Sequence, residues 1–81
     1  DKMNNIEFLN SWNLTEVAEM LNNGVNIETV DDVKKTKLIL ASERGDSEMV
    51  RLLISRKANV NARDNEENTP IIMAAFKDHV E

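Results

Sequence analysis

Residues able to do chemistry are few in this chain of 81 residues, and most of them are carboxylates. There is one histidine, His79, and no cysteine, whereas Asp and Glu together number 15. A lone histidine leaves little scope for a nucleophilic triad or a zinc site, and only Gly24 and Gly45 are available for a phosphate-binding loop. Two catalytic carboxylates would need one pocket with two distinct environments, and the acidic residues lie in polar stretches instead. The sequence predicts no enzyme activity, no metal site and no cofactor.

Charge and composition narrow the class of partner. The net charge of −5 disfavours binding to duplex nucleic acid, and two phenylalanines with one tryptophan are few for stacking bases. No apolar run is long enough to cross a membrane and no secretory signal opens the chain, so neither nucleic acid nor membrane is expected as a partner. Because the chain starts at Asp1, it is expected to be a processed or excised piece, which leaves the compartment open with the cytoplasm favoured.

An internal repeat organises the elements that must position any site. Asp31 recurs as Asp64, and Thr36 recurs as Thr69, in each case 33 positions later. Further pairs at this offset are Leu38 with Ile71, Ala41 with Ala74, Leu21 with Ile54 and Asn26 with Asn59. A period of about 20–50 residues indicates stacked units that bury their apolar faces against one another.

Start and stop signals within a period predict two helices. Thr36 can cap the first helix of one period, and Thr69 can cap the next, where a proline follows at the first helical position. Gly45 interrupts the first helix, and either Asp46 or Ser47 can cap a second one.

The same signals extend to the first period and to the loops. Asn13 to Glu16 resembles a capping box before an earlier helix, and Gly24 suits the left-handed residue that closes it. The stretches 25–35 and 58–68 are rich in Asn and Asp, which favours hairpin-like loops.

The order and spacing of these sequence motifs resemble those of a known family. The stretch 41–54, ASERGDSEMVRLLI, followed by 57–64, KANVNARD, resembles the ankyrin consensus, and 69–75, TPIIMAA, resembles the opening of the next repeat. The resemblance covers roughly residues 15–81. It implies an all-α fold, an ankyrin repeat solenoid of stacked helix-turn-helix units with hairpin-like loops.

The expected organisation is a single ankyrin repeat domain over 1–81. Its units are residues 1–30 as an N-terminal cap-like repeat, 31–63 as the second repeat and 64–81 as a partial third. Glu16 and Glu19 stand where the second repeat has Met49 and Leu52. A terminal repeat has no upstream neighbour, so a charged outer face suits it.

Several positions depart from the family pattern. Lys57 replaces the glycine that closes a helix, and a lysine in a left-handed conformation should cost about 1 kcal/mol relative to glycine. Lys34 and Glu67 replace the loop glycine, so these tips are expected to bend differently. Lys37 replaces the usual proline.

The C-terminal edge is expected to be open. The chain stops at Glu81, where the second helix of the third repeat should begin, so Ile71, Ile72, Met73 and Phe76 lack their usual cover. We expect either that the natural protein continues or that a second chain covers this edge, which makes self-association through Ile71, Ile72 and Phe76 the alternative function.

The main function that the resemblance implies is binding of a protein or peptide on the concave face. Carried over by position, the candidate partner-binding residues are Asp32, Val33, Lys35, Glu43 and Arg44 in the second repeat and Asn65, Glu66, Asn68, Phe76 and Lys77 in the third. Arg44 and Phe76 are favoured as anchors because arginine and aromatic residues dominate interface energetics. For any single candidate the alternative is an ordinary solvated side chain.

Three further features have two interpretations each. Lys34, Lys35 and Lys37 make one loop tip basic while the next tip is acidic; these charges either steer a partner or, as favoured, pair across neighbouring tips. Trp12 either anchors a partner or, slightly favoured, folds over the cap. His79 falls on the family's usual histidine, which implies a hydrogen bond within the turn rather than catalysis.

Overall fold

The computed structural model describes residues 2–76. Within that range the chain forms five helices: α1 (Lys2–Asn10), α2 (Leu14–Asn22), α3 (Lys37–Arg44), α4 (Ser47–Ser55) and α5 (Pro70–Phe76). An isolated antiparallel bridge pairs Val30 with Thr36 at the base of the loop before α3. The predicted all-α fold with hairpin-like loops is confirmed.

The predicted caps begin the helices. The side-chain oxygens of four residues each accept a hydrogen bond from the backbone N–H three residues later: Asn13 from Glu16 at 2.9 Å, Thr36 from Ile39 at 3.2 Å, Asp46 from Met49 at 3.2 Å and Thr69 from Ile72 at 3.3 Å. Of the two candidates for the cap of α4, Asp46 is the one used. The reciprocal half of the capping box is not made, because the Glu16 carboxylate accepts from the Ser11 hydroxyl at 2.9 Å instead.

Left-handed residues close the turns whether or not they are glycine. Gly45 ends α3 with φ 73°. Lys57 has φ 69°, as the family pattern requires, and Lys34 and Glu67 have φ 66° and 65°. The expectation that the two loop tips bend differently is therefore wrong, since both side-chain-bearing residues adopt the conformation that favours glycine.

An aspartate in each loop explains how the tips keep this conformation. Asp31 Oδ1 accepts from the N–H groups of Val33 at 3.0 Å and Lys35 at 2.8 Å. Thirty-three positions later, Asp64 Oδ1 accepts from those of Glu66 at 2.8 Å and Asn68 at 2.9 Å. These bonds satisfy the loop donors in the same way in both repeats, and the Asn65 N–H joins the tips by donating to Val33 O at 2.9 Å.

The helices stack in two layers. In the layer of first helices α3 packs against α5, in the layer of second helices α2 packs against α4, and the pairs α1–α2 and α3–α4 connect the layers. The buried core cluster comprises Phe8, Val17, Leu38, Ala41, Met49, Leu53 and Ala58. Met73 in α5 is also buried, at 5% exposed, so the expectation that it lacks cover is wrong.

Candidate partner-binding face

A groove of about 980 Å³ lies between α1, the loop before α3 and α3 itself. We call it the α1 groove. Its apolar lining consists of Ile6, Leu9, Trp12, Val30 and Leu40, and its polar lining of Asn5, Asn10, Thr29, Asp31, Asp32, Glu43 and Arg44. Ile6 and Val30 are 59% and 44% exposed, so much of the apolar surface of this groove faces solvent.

A second, smaller concavity of about 430 Å³ lies between α3, α5 and the two loops that precede these helices. We call it the α5 hollow, and its lining is Lys35, Glu43, Glu66, Asn68, Met73 and Phe76. Glu43 lines both concavities. The two concavities therefore adjoin at Glu43 along the first helices and the loop tips, and we call them together the concave face.

The residues carried over from the family fall on or beside this face. Asp32, Glu43 and Arg44 line the α1 groove, and Lys35, Glu43, Glu66, Asn68 and Phe76 line the α5 hollow. Val33 and Asn65 line neither concavity, but they meet at the loop tips through their backbone hydrogen bond. Lys77 and His79 lie outside the described residues.

Trp12 is half-buried and packs against the core cluster, while its ring also lines the α1 groove. The favoured interpretation, that it folds over the cap, agrees with this position. The Arg44 guanidinium carbon lies 4.0 Å from the centroid of its ring. Arg44 makes no hydrogen bond and no ion pair with any residue in 2–76, so its N–H donors face solvent.

Lys37 is fully buried beneath the same tryptophan. Its Nζ donates to the backbone carbonyls of Leu9, at 3.1 Å, and Ser11, and it lies 3.6 Å from the Trp12 ring centroid and 5.7 Å from that of Phe8. Burial, and after it repulsion from the Arg44 guanidinium, lowers the pKa of Lys37 to about 8. The assignment of Lys37 to a basic loop tip is wrong, because the side chain reaches back to the end of α1.

Each ion pair lies within one loop or between a loop and the helix that follows it, and neither joins two loop tips. Lys35 Nζ pairs with Glu43 Oε1 at 3.0 Å, and this hydrogen bond is the main reason that the pKa of Lys35 is raised. Arg63 pairs with Glu67 at 3.0 Å on the exposed surface of one loop. In the described part of the chain no ion pair joins neighbouring tips. Lys35 and Asp64 attract each other across the two tips without forming one, and this attraction helps to raise the pKa of Lys35 and to lower that of Asp64.

Asp64 is a buried carboxylate in the loop before α5. Burial acts to raise its pKa, but hydrogen bonds from the N–H groups of Asn68 and Glu66 outweigh this effect, and the pKa is lowered. Its role is thus structural: it holds the tip that carries Glu66 and Asn68 on the α5 hollow.

Two classes of site are not seen between residues 2 and 76. No three or more His, Cys, Asp or Glu side chains in this range are placed together to hold a metal ion. None of the helices there combines the length and the apolarity needed to cross a membrane.

The apolar half of the α1 groove was missed from the sequence. Candidates were carried over only from the second and third repeats, whereas Ile6, Leu9 and Trp12 belong to the first. A signal was present, because moving back 33 positions from Glu43 gives Asn10, which also lines the groove. Shifting the candidates of the second repeat back by 33 positions would thus have predicted that the end of α1 belongs to the site.

Comparison with known proteins agrees with this architecture. The profile of a family described as ankyrin repeats (3 copies) matches residues 8–81. The chain is similar to inversin of Canis lupus familiaris, with 34% identity over 55 residues, covering 68% of this chain and 5% of inversin. It is also similar to inversin of Mus musculus, with 35% identity over 52 residues, covering 64% of this chain and 5% of that protein. The matched region is thus a small fraction of these relatives. The chain belongs to the ankyrin repeat family.

Proposed function

We propose that this chain is a protein-interaction module that binds a protein or peptide on the concave face formed by the α1 groove and the α5 hollow. Ankyrin repeats are generally protein–protein interaction modules. The observation that supports this face is that the two concavities adjoin at Glu43, which lines both. We also propose the division into repeats at 1–30, 31–63 and 64–81, which the matching loops at Asp31 and Asp64 support.

Arg44 and Phe76 are the proposed energetic anchors at the two ends of this face. Arg44 lies in the α1 groove with its N–H donors exposed, and Phe76 lines the α5 hollow with 78% of its surface exposed. Such side chains lose the most water-accessible area on binding, which is why they contribute most to affinity in interfaces. The surrounding polar side chains then serve mainly to exclude water and to orient the partner.

The test is a double variant, Arg44→Ala with Phe76→Ala, compared with a matched pair on α4, Arg51→Ala with Ile54→Ala. Ile54 is 48% exposed, and both control residues lie outside the two concavities. With a partner captured by the full protein, the anchor variant should weaken binding about a thousandfold, from losses of about 2 kcal/mol at each anchor. The α4 pair should leave the affinity unchanged. Undiminished binding by the anchor variant would refute this placement of the site.

A second candidate function is self-association through α5. Ile71, Ile72 and Phe76 are 76%, 46% and 78% exposed on one short helix, which is a large apolar surface for a chain of this size. Sedimentation of the wild type and of Ile71→Asp over a wide concentration range tests it. Association that the aspartate abolishes favours the assembly function, and a wild type that stays monomeric at all concentrations removes it.

A further inference from the structure

Two positive charges share the single indole of this chain. Lys37 Nζ lies 3.6 Å and the Arg44 guanidinium carbon 4.0 Å from the Trp12 ring centroid. Across residues 2–76 neither cation has a carboxylate within ion-pair distance, and the polar partners of Lys37 are backbone carbonyls. Asp46 attracts Lys37 only from beyond ion-pair distance. In a chain of net charge −5, the pair is thus a local concentration of positive charge without a directly paired carboxylate.

Arg44 is the accessible member of the pair. Lys37 is fully buried, whereas Arg44 is exposed and lines the α1 groove. A guanidinium stacked over an aromatic ring keeps its N–H groups in its own plane, clear of the ring, where they can make a bidentate hydrogen bond to a carboxylate. An incoming carboxylate would also relieve the repulsion between the two cations.

The acidic residues of the groove do not compete for Arg44. Glu43 is paired with Lys35 at 3.0 Å, and Asp31 accepts hydrogen bonds from two N–H groups of its own loop. Asp32 belongs to the loop wall and makes no ion pair with any described residue. The groove therefore has a cationic end at Arg44, an anionic loop wall and an apolar floor that includes the exposed Ile6.

We propose that the α1 groove binds a peptide segment that places a large apolar side chain against Ile6 and Leu9 and an adjacent Asp or Glu carboxylate on Arg44. This inference rests on the proposed function and specifies the partner chemistry at one end of the concave face. The segment has a defined direction, because Asp32 repels a carboxylate at the loop wall and accepts a basic residue there.

The test is selection of peptides from a random phage-displayed library on the folded protein, followed by fluorescence titration with the enriched synthetic peptides. Trp12 is the only tryptophan and the chain has no tyrosine, so its emission reports directly on the α1 groove. We expect enriched peptides with a large apolar residue next to Asp or Glu, and a change in Trp12 emission on binding. Arg44→Gln, which keeps a polar side chain but removes the guanidinium and its charge, should weaken binding about tenfold or more. The control Arg51→Gln on α4 should bind as the wild type does.

Each other outcome is decisive. Enriched peptides that are basic and lack carboxylates, or whose affinity Arg44→Gln leaves intact, overturn the inference. Peptides that bind without changing Trp12 emission, and whose affinity falls instead on replacing Glu66 or Phe76, overturn the inference while the proposed function stands. A library that yields no binder counts against both.

Discussion

The substitution Lys37→Met tests the buried lysine through the pH dependence of stability. Relative to this variant, the wild type should become more stable as pH rises, whereas a lysine in an ordinary ion pair would make it less stable. Lys37 is the only fully buried charged side chain among the described residues, and its folded-state pKa is lowered to about 8 from 10.5. Methionine is unbranched, similar in length and uncharged, so it fills the same space below Trp12 without titrating.

The direction of this pH dependence follows from the number of protons that the folded and the unfolded chain bind. Below pH 8 the lysine is charged in both the folded and the unfolded chain, and the folded state bears the cost of burying the charge. Between pH 8 and 10.5 the unfolded chain binds more protons than the folded one, so stability rises with pH through this window. A shift from 10.5 to about 8 corresponds to about 3 kcal/mol, at about 1.4 kcal/mol per pH unit. For a small domain this is a large fraction of the total stability.

The assay is urea denaturation followed by far-UV circular dichroism, for wild type and Lys37→Met, at a series of pH values from 7 to about 10.5. The other lysines titrate in both proteins and cancel in the difference. The free energy of unfolding of the wild type, relative to the variant, should rise by about 3 kcal/mol across the window. Lys37→Arg stays charged throughout, so its difference from Lys37→Met should stay flat. A wild-type difference that is flat, or that falls with pH, would refute the burial of a lysine charge beneath Trp12.

Three further predictions concern the turns and caps. Lys57→Gly should stabilise the fold by about 1 kcal/mol in chemical denaturation, because φ is 69° there, whereas Arg56→Gly, at φ −98°, should destabilise it. Thr36→Ala should lower the free energy of unfolding by about 1 kcal/mol through loss of the bond to the Ile39 N–H, and Thr36→Ser should restore most of it; equal stability of the two variants would contradict the cap. The stability advantage of wild type over Asp64→Asn should shrink as pH falls below 3.8. There the unfolded chain takes up a proton on Asp64, while the folded carboxylate, with its lowered pKa, does so only at lower pH; an advantage independent of pH down to acid unfolding would contradict its charged role.

The repeat architecture and the helix starts were predictable because they depend on local chemistry. Asp31 and Thr36 recur as Asp64 and Thr69, and each aspartate or threonine makes the same hydrogen bonds to backbone N–H groups within a few residues. Such contacts need no knowledge of distant parts of the chain. The offset of 33 then stacks the units in register.

The position of Lys37 was not predictable in the same way. The family pattern has a proline at this place, and the lysine there was assigned to a loop tip by its sequence neighbours. Its Nζ instead reaches Leu9 O, 28 positions earlier, so its surroundings depend on how α1 packs against the start of α3. α1 itself has no marked apolar stripe, and burial of Phe8 and the contacts of Lys37 position it. The α1 groove, which these contacts create, was therefore missed.

The burial of Met73, at the C-terminal end of the described chain, was likewise not predicted from the sequence. Its neighbours Ile71 and Ile72 are exposed, as an open edge requires, but Met73 is buried on the same helix, which packs against α3. Successive side chains of a helix are rotated by about a quarter to a third of a turn, so neighbouring residues of α5 differ in exposure.

Site-specific photo-crosslinking in the full protein tests the concave-face proposal most directly. A photoreactive phenylalanine is placed at Asp32 or Glu66, which line the face, and at Glu48 or Arg51 on α4, all four being exposed positions. The proposal predicts that one and the same partner is crosslinked from Asp32 and Glu66 and is absent from the α4 positions. Crosslinks to that partner from Glu48 and Arg51, with none from Asp32 and Glu66, would contradict it.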